Sequence, residues 1–188
     1  ALQQEVAEHQ RTEETLRLLG SAVEQAQESI LITDAELDLP GPRIVFVNPA
    51  FTQMTGYSAA EAIGQTPRIL QGPRTDRAVM DRLRQNLERG EAFAGEAINY
   101  RQDGTEFDNA WQIAPLRNAG GKITHFVALQ RDITERKRAG DKLARTEELY
   151  RRAIASAGAV PYSLDFKTRS YAFMGEGIAA LIGYAPHE

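Results

Sequence analysis

Hydrophobic residues change their spacing near residue 30. Before it, Leu2, Val6, His9, Leu16, Val23 and Ile30 fall on alternating three- and four-residue steps, with a polar gap at Glu13. That spacing predicts one helix over residues 1–29, interrupted only by Gly20. The stripe suits a coiled coil or a helix packed on a partner; the alternative is an amphipathic helix folded onto its own domain. After it, Ile30–Thr33 and Ile44–Val47 are short β-rich runs flanking the turn-prone Asp38–Pro42, which predicts a hairpin. Short helical pieces follow, broken by Gly56, Gly64, Pro67 and Gly72–Pro73. Thr75–Asp76 reads as a helix start, and that helix carries Val79, Met80, Leu83 and Leu87 to a stop at Gly90. Three further strands are expected at 94–100, 106–116 and 122–132, with turns at Asp103–Gly104 and Asn118–Gly121.

The order β–β, short helices, β–β–β predicts an α+β domain over residues 30–134, a five-stranded antiparallel sheet with helices on one face. A linker helix is expected at 135–157, beginning near Thr134. Residues 158–188 repeat the beginning of the domain: Ala159–Asp165 resembles the first strand and Ser170–Met174 the second. Ile182–Gly183–Tyr184 with Glu188 echoes Thr55–Gly56–Tyr57 with Glu61, so this stretch reads as the start of a second copy. The flanking helices differ in charge. Residues 1–29 hold six acidic and two basic side chains, net −4, and residues 135–153 hold four and seven, net +3.

Composition narrows the chemistry. The chain has 188 residues, 42% of them hydrophobic and 26% charged, enough apolar content for a packed core. A net charge of −4 argues against nucleic acid or an anionic membrane as the main partner. No apolar run approaches a membrane span and the first residues do not look like a signal peptide, so a cytoplasmic module is expected. Zero cysteines exclude disulfides, thiolate metal sites and a cysteine nucleophile. Histidine and carboxylate spacing offers no metal set, and no nucleophile elbow or phosphate loop is present, so no catalytic residue is expected. Gly175–Ala180 is a near match to a dinucleotide fingerprint but lacks room for the βαβ unit it needs.

Four strings carry a resemblance: Asn48-Pro-Ala-Phe-Thr-Gln-Met-Thr-Gly-Tyr57, Gly64-Gln-Thr-Pro-Arg-Ile-Leu-Gln-Gly72, Asn99–Tyr100 with Asp103–Gly104, and Gln130-Arg-Asp-Ile-Thr134. Together, over residues 28–134, they resemble PAS domains of the light-oxygen-voltage (LOV) type, the flavin-binding blue-light sensors. The Thr-Gly-Tyr turn and Asp-Ile-Thr ending are general to PAS domains. Arg68-Ile-Leu-Gln-Gly-Pro73 with Asn99, Asn109 and Gln130 is more specific to flavin binding.

The resemblance implies a bound FMN, with FAD as the alternative; the short connection Gly72–Asp76 leaves no insertion for an adenine and favours FMN. It implies that Asn99, Asn109 and Gln130 bond the ring's polar edge, Gln130 also facing N5, since an amide both donates and accepts. Arg68 and Arg84 match phosphate contacts, and Gln71 the ribityl chain or phosphate. Leu70, Met80, Leu83, Leu87, Ile113 and Phe126 would line the ring pocket, with Thr33 at a further family contact and Thr66 at a cofactor position where the family usually carries Asn. One departure matters most: the family's photoactive cysteine is replaced by Pro67, so no cysteinyl adduct can form. Trp111 stands where the family usually carries Phe or Leu, and it and Tyr100 are candidate electron donors; Trp111 as a core aromatic is the other reading. The expected mechanism is photoreduction to a neutral semiquinone, sensed by Gln130 and passed to the flanking helices. Those helices are expected to make a homodimer and to lead, through a downstream PAS domain, to an output domain such as a histidine kinase or a cyclic-di-nucleotide enzyme. A light-independent flavin redox or oxygen sensor and a cofactor-free PAS interaction module are the alternatives.

Overall fold

A computed structural model describes residues 2–157 and 159–175. The chain divides into two compact units, Ala1–Glu135 and Arg136–Glu188. In the first, helix α1 spans Leu2–Gln25 and so ends four residues earlier than its spacing predicts. Asn48 explains the stop. Its side chain, 1% exposed, donates to the carbonyls of Val23 and Glu28 at 3.2 and 2.9 Å and accepts from the Ile30 amide at 2.9 Å. Residues 26–28 are thereby held out of the helix, and Ile30, expected on the helical stripe, pairs with Leu129 in a strand instead.

The strands are β1 Ser29–Asp34, β2 Ile44–Val47, β3 Phe93–Tyr100, β4 Glu106–Arg117 and β5 Ile123–Asp132. They form the expected five-stranded antiparallel sheet, in the order β2-β1-β5-β4-β3. The two tight turns set the register of its second half. Gly104 and Gly121 both take positive φ, +82° and +80°, where a side chain would be strained. Asp103 and Asn118 accept backbone N–H bonds from within their turns.

Between β2 and β3 come α2 Pro49–Thr55, α3 Ala59–Ala62, a 3-10 helix Pro67–Leu70 and α4 Arg77–Glu88. Each α-helix here starts on a side-chain cap: Asn48, the Ser58–Glu61 capping box, and Asp76. All four pack on one face of the sheet. Phe51, Ala62 and Leu70 meet Leu31, Ile44, Val47 and Ala128, while Val79 of α4 meets Ala97 and Trp111.

The sheet ends in an anchored exit. Asp132 accepts from the Thr134 amide at 2.8 Å and pairs with Arg101 at 2.6 Å, next to the buried Ile133. Burial pushes the Asp132 carboxyl up, but the bonds from Thr134 and the Arg101 guanidinium outweigh it and hold the group below the usual carboxylate range. Helix α5, Thr134–Ser156, starts there, and none of its residues is buried. In the second unit, β6 Tyr162–Asp165 and β7 Ser170–Met174 form a hairpin. The Ile182–Gly183–Tyr184 and Glu188 echo lies outside the described residues, as does most of the Gly175–Ala180 string. No helix among the described residues is long and apolar enough to cross a membrane.

Candidate functional site

Between the inner face of the sheet and α4 lies a cavity of about 360 Å³. Strand alternation builds one wall: Leu31 and Thr33 of β1, Ile113 of β4, and Phe126, Ala128 and Gln130 of β5 share the inner face. The opposite wall comes from α4, whose Met80, Leu83, Arg84 and Leu87 follow helical spacing. Thr66, Pro67, Arg68 and Gln71 close a third side around the 3-10 helix. Size and lining suit a flat apolar ligand with a polar rim.

Twelve of the sequence-predicted positions therefore meet here, Pro67 among them. Leu70, Asn99, Asn109 and Trp111 do not line the cavity. Leu70 is 1% exposed in the core, and its carbonyl accepts from the Asn99 amide nitrogen at 2.8 Å. Asn99 therefore keeps its oxygen and one N–H for anything else. Trp111 packs with Val79 and Ala97, and that cluster in turn touches Met80, Phe93 and Ile113. Tyr100, the other candidate electron donor, is held on edge strand β3, where its hydroxyl bonds the Arg74 amide at 3.1 Å and Glu106 at 3.0 Å.

The polar inventory is unusual for a core. Asn99 Oδ1, Asn109 Oδ1, Gln130 Oε1, Trp111 Nε1 and Ser29 Oγ are all buried without a hydrogen-bond partner. Buried polar groups are nearly always paired, and each orphan costs about 1–3 kcal/mol. Gln130, whose Oε1 is unpaired, lines the apolar slot, while Asn99 and Asn109 are buried outside its lining; a heteroaromatic ring with its own N–H and carbonyl groups would satisfy the Gln130 amide. On that observation the residues present fit a flavin.

The mouth is cationic. Arg68, Arg77 and Arg84 against Asp81 leave a net +2 among its charged side chains. Arg84 Nε pairs with Glu88 at 2.7 Å, while Arg68 has no ion-pair partner among the described residues. Gln71 donates to the Met80 sulfur at 3.3 Å, a weak bond that a phosphate or hydroxyl oxygen could replace. Sequence reasoning missed Leu31, Arg77, Asp81 and Ala128, together with Leu37, Gly41 and Pro42 from the β1–β2 connection. Arg77 was within reach, because it precedes Arg84 by two helical turns and so shares its face. The loop residues carried no such signal.

Comparison with known proteins adds independent findings. The PAS domain family matches residues 27–135. Phototropin-2 from Oryza sativa subsp. japonica is 33% identical over 144 residues, covering 76% of this chain and 16% of that protein. A blue-light-activated histidine kinase from Brucella abortus (strain 2308) is 40% identical over 114 residues, 61% of this chain and 23% of that protein. The chain thus spans less than a quarter of either relative. Among solved structures, an RNA-binding light-oxygen-voltage receptor matches with a TM-score of 0.65 and 32% identity, over 76% of this chain and 39% of that one. The LOV domain from the Erythrobacter litoralis EL346 blue-light activated histidine kinase matches with a TM-score of 0.55 and 34% identity, over 58% of this chain and 99% of that one.

Proposed function

The chain belongs to the PAS domain family, its relatives and structural neighbours being LOV domains, and from that premise we propose that residues 30–134 are a flavin-binding sensory module that responds to blue light without a cysteinyl adduct. The observation that carries this reading is the cavity, an apolar slot with the unsatisfied Gln130 amide in its wall and arginines at its mouth. When bound, a flavin supplies blue-light absorption and one-electron chemistry. FMN is the cofactor we assign, on the short Gly72–Asp76 connection, with FAD as the alternative.

The protein's part is binding, exclusion of water and handling of a proton. Leu83, Leu87, Ile113 and Phe126 would enclose the ring, and Arg68 and Arg84 with Gln71 would hold the phosphate end. Asn99 and Asn109, whose unpaired oxygens are buried outside the cavity lining, would meet the ring's N–H edge if binding opened the wall toward them. Gln130, in the cavity wall, would bond the ring's redox-active edge, its amide able to donate to a bare ring nitrogen or to accept from a protonated one. Pro67 has no S–H, so the usual covalent outlet is closed and electron transfer remains. Trp111 is the donor we assign, because its cluster packs against Met80 and Ile113 of the cavity wall, whereas Tyr100 sits on the edge strand.

The output route we assign is the pair of flanking helices. Val6, Leu16, Leu18 and Leu19 of α1 are more than half exposed, as are Leu143, Leu149 and Tyr150 of α5. A second copy of the chain would cover such faces, making a homodimer that passes the signal to a downstream PAS domain and an output domain of the same chain. The RNA-binding receptor among the structural neighbours is the reason to include RNA in partner assays, although the net charge of −4 argues against it.

Illumination of the purified protein under reductant, followed by absorption spectra, tests the mechanism. A yellow protein whose oxidised spectrum is unchanged by light but titrates in the dark supports redox sensing instead. A folded, colourless protein refutes cofactor binding and leaves an interaction module.

A further inference from the structure

Three of the orphaned buried atoms form a line across the sheet. Ser29 of β1 lies directly opposite Gln130 of β5, and Gln130 directly opposite Trp111 of β4. All three are on the inner face, at 2%, 7% and 7% exposure, and Ser29 Oγ, Gln130 Oε1 and Trp111 Nε1 each lack a partner. Gln130 borders the cavity and Trp111 does not. A ligand in the cavity can therefore meet the amide directly, whereas the indole lies outside the lining. The nearest acceptors for its N–H are the protein's own.

Two acceptors share the inner face near it. Gln130 Oε1 is directly across the ladder, where opposed Cβ atoms stand about 4.5–5.5 Å apart. Asn109 Oδ1 is two positions along β4, roughly 6.5–7 Å away by strand rise. Gln130 is the nearer, and its longer side chain has the reach. We propose that Trp111 is a positioning residue: both atoms are unpaired in this structure, and a rotation of the Gln130 amide lets Trp111 Nε1–H donate to Oε1 and so presets the NH2 group toward the cavity.

The consequence follows from donor and acceptor counts alone. An indole nitrogen only donates. With Oε1 held by Trp111, the Gln130 NH2 presents donors to an unprotonated ring nitrogen. If that nitrogen gains a proton, the amide must turn its oxygen inward, which sets NH2 against the indole N–H, donor facing donor. Trp111 thus favours the resting orientation and opposes the turned one. Ser29, on the other side of Gln130, carries a hydroxyl that both donates and accepts, so it suits either orientation. This switching consequence rests on the flavin reading, whereas the Trp111–Gln130 bond does not.

Trp111 is the sole tryptophan, so the uniformly 15N-labelled full chain gives a single indole N–H resonance. In the dark it should lie downfield of a free indole and exchange slowly with water. Gln130→Leu should move it upfield and speed its exchange by roughly tenfold, the scale of one buried hydrogen bond. Ser29→Ala should leave it in place, and illumination under reductant should move the unmodified protein's signal in the same direction as Gln130→Leu. Trp111→Phe, read at the Gln130 side-chain amide, gives the reciprocal measurement should Gln130→Leu disturb the fold. An indole signal that ignores Gln130→Leu, or that responds to Asn109→Ala instead, overturns the proposal even in a yellow protein. A colourless protein that keeps the Gln130-dependent signal supports the bond and refutes only the flavin reading.

Discussion

Asn48→Ala removes one buried side chain whose closer bonds serve four backbone groups, with the Ala26 carbonyl a fifth at 3.5 Å. Asn48 caps α2 through the Phe51 amide at 3.1 Å, accepts from Ile30 at 2.9 Å, and donates to the carbonyls of Val23 and Glu28. Losing an Asn cap costs about 1 kcal/mol. The Ile30 N–H and the two carbonyls then lack their partner, at about 1 kcal/mol or more each where water cannot reach. Allowing for water at the part-buried ones, the expected loss is about 3 kcal/mol. Urea unfolding followed by Trp111 fluorescence reads it directly, since Trp111 is buried on the inner face. Asn48→Asp is the informative companion. It keeps an acceptor for Phe51 and Ile30 but faces the Val23 and Glu28 carbonyls with a carboxylate. Amide exchange over residues 23–30 should therefore rise in both variants, while α2 frays only in Asn48→Ala. A loss below about 1 kcal/mol for Asn48→Ala would refute the account of why α1 stops where it does.

Other expectations test the site and its supports. A Cβ on Gly72 would overlap the Tyr100 ring, so Gly72→Ala should lower stability by about 1–3 kcal/mol in thermal unfolding, and Tyr100→Leu should recover part of it. Asp132 is held below its ordinary pKa of 3.8 in the folded chain, so its contribution is complete above that value and is lost as pH falls through the lower folded one. Asp132→Asn should flatten that part of the acid limb in a stability–pH profile; an unchanged profile would count against the Arg101–Asp132–Thr134 anchor. Pro67→Cys should restore a light-induced adduct, seen as reversible bleaching of the oxidised flavin band. A yellow protein without such bleaching would place the flavin away from residue 67. Leu16→Glu should shift the chain from dimer to monomer in light scattering, and an unshifted mass would remove α1 from the interface.

How much of this was legible in the sequence depended on whether the signal was local. Short β-rich runs and the turn residues at 38–42, 103–104 and 118–121 placed five strands to within a residue or so, because both act over a few neighbours. The end of α1 was misjudged for the opposite reason. Helical spacing continued to Ile30, but Asn48, eighteen residues away, takes the carbonyls and amide that further turns would have used. A tertiary hydrogen bond overrode a periodic pattern, and nothing within residues 1–30 announced it.

The site divides along the same line. Lining residues followed from element faces plus the family resemblance, and twelve of them meet around one cavity. Register across strands was not legible, since no local pattern says that residue 130 stands opposite residues 29 and 111. Yet register is what turns Trp111 from a bulky neighbour of the cavity into a fixed donor beside the one amide that both borders the cavity and can reverse its polarity. A Phe there would fill similar space and leave the Gln130 orientation to the ligand alone. With an indole, the protein itself has a preferred orientation, and the ligand's proton must work against it. On the proposed flavin reading, Pro67 and the Trp111 N–H thus act on different parts of one problem. The first closes the covalent route, and the second raises the threshold for the route that remains.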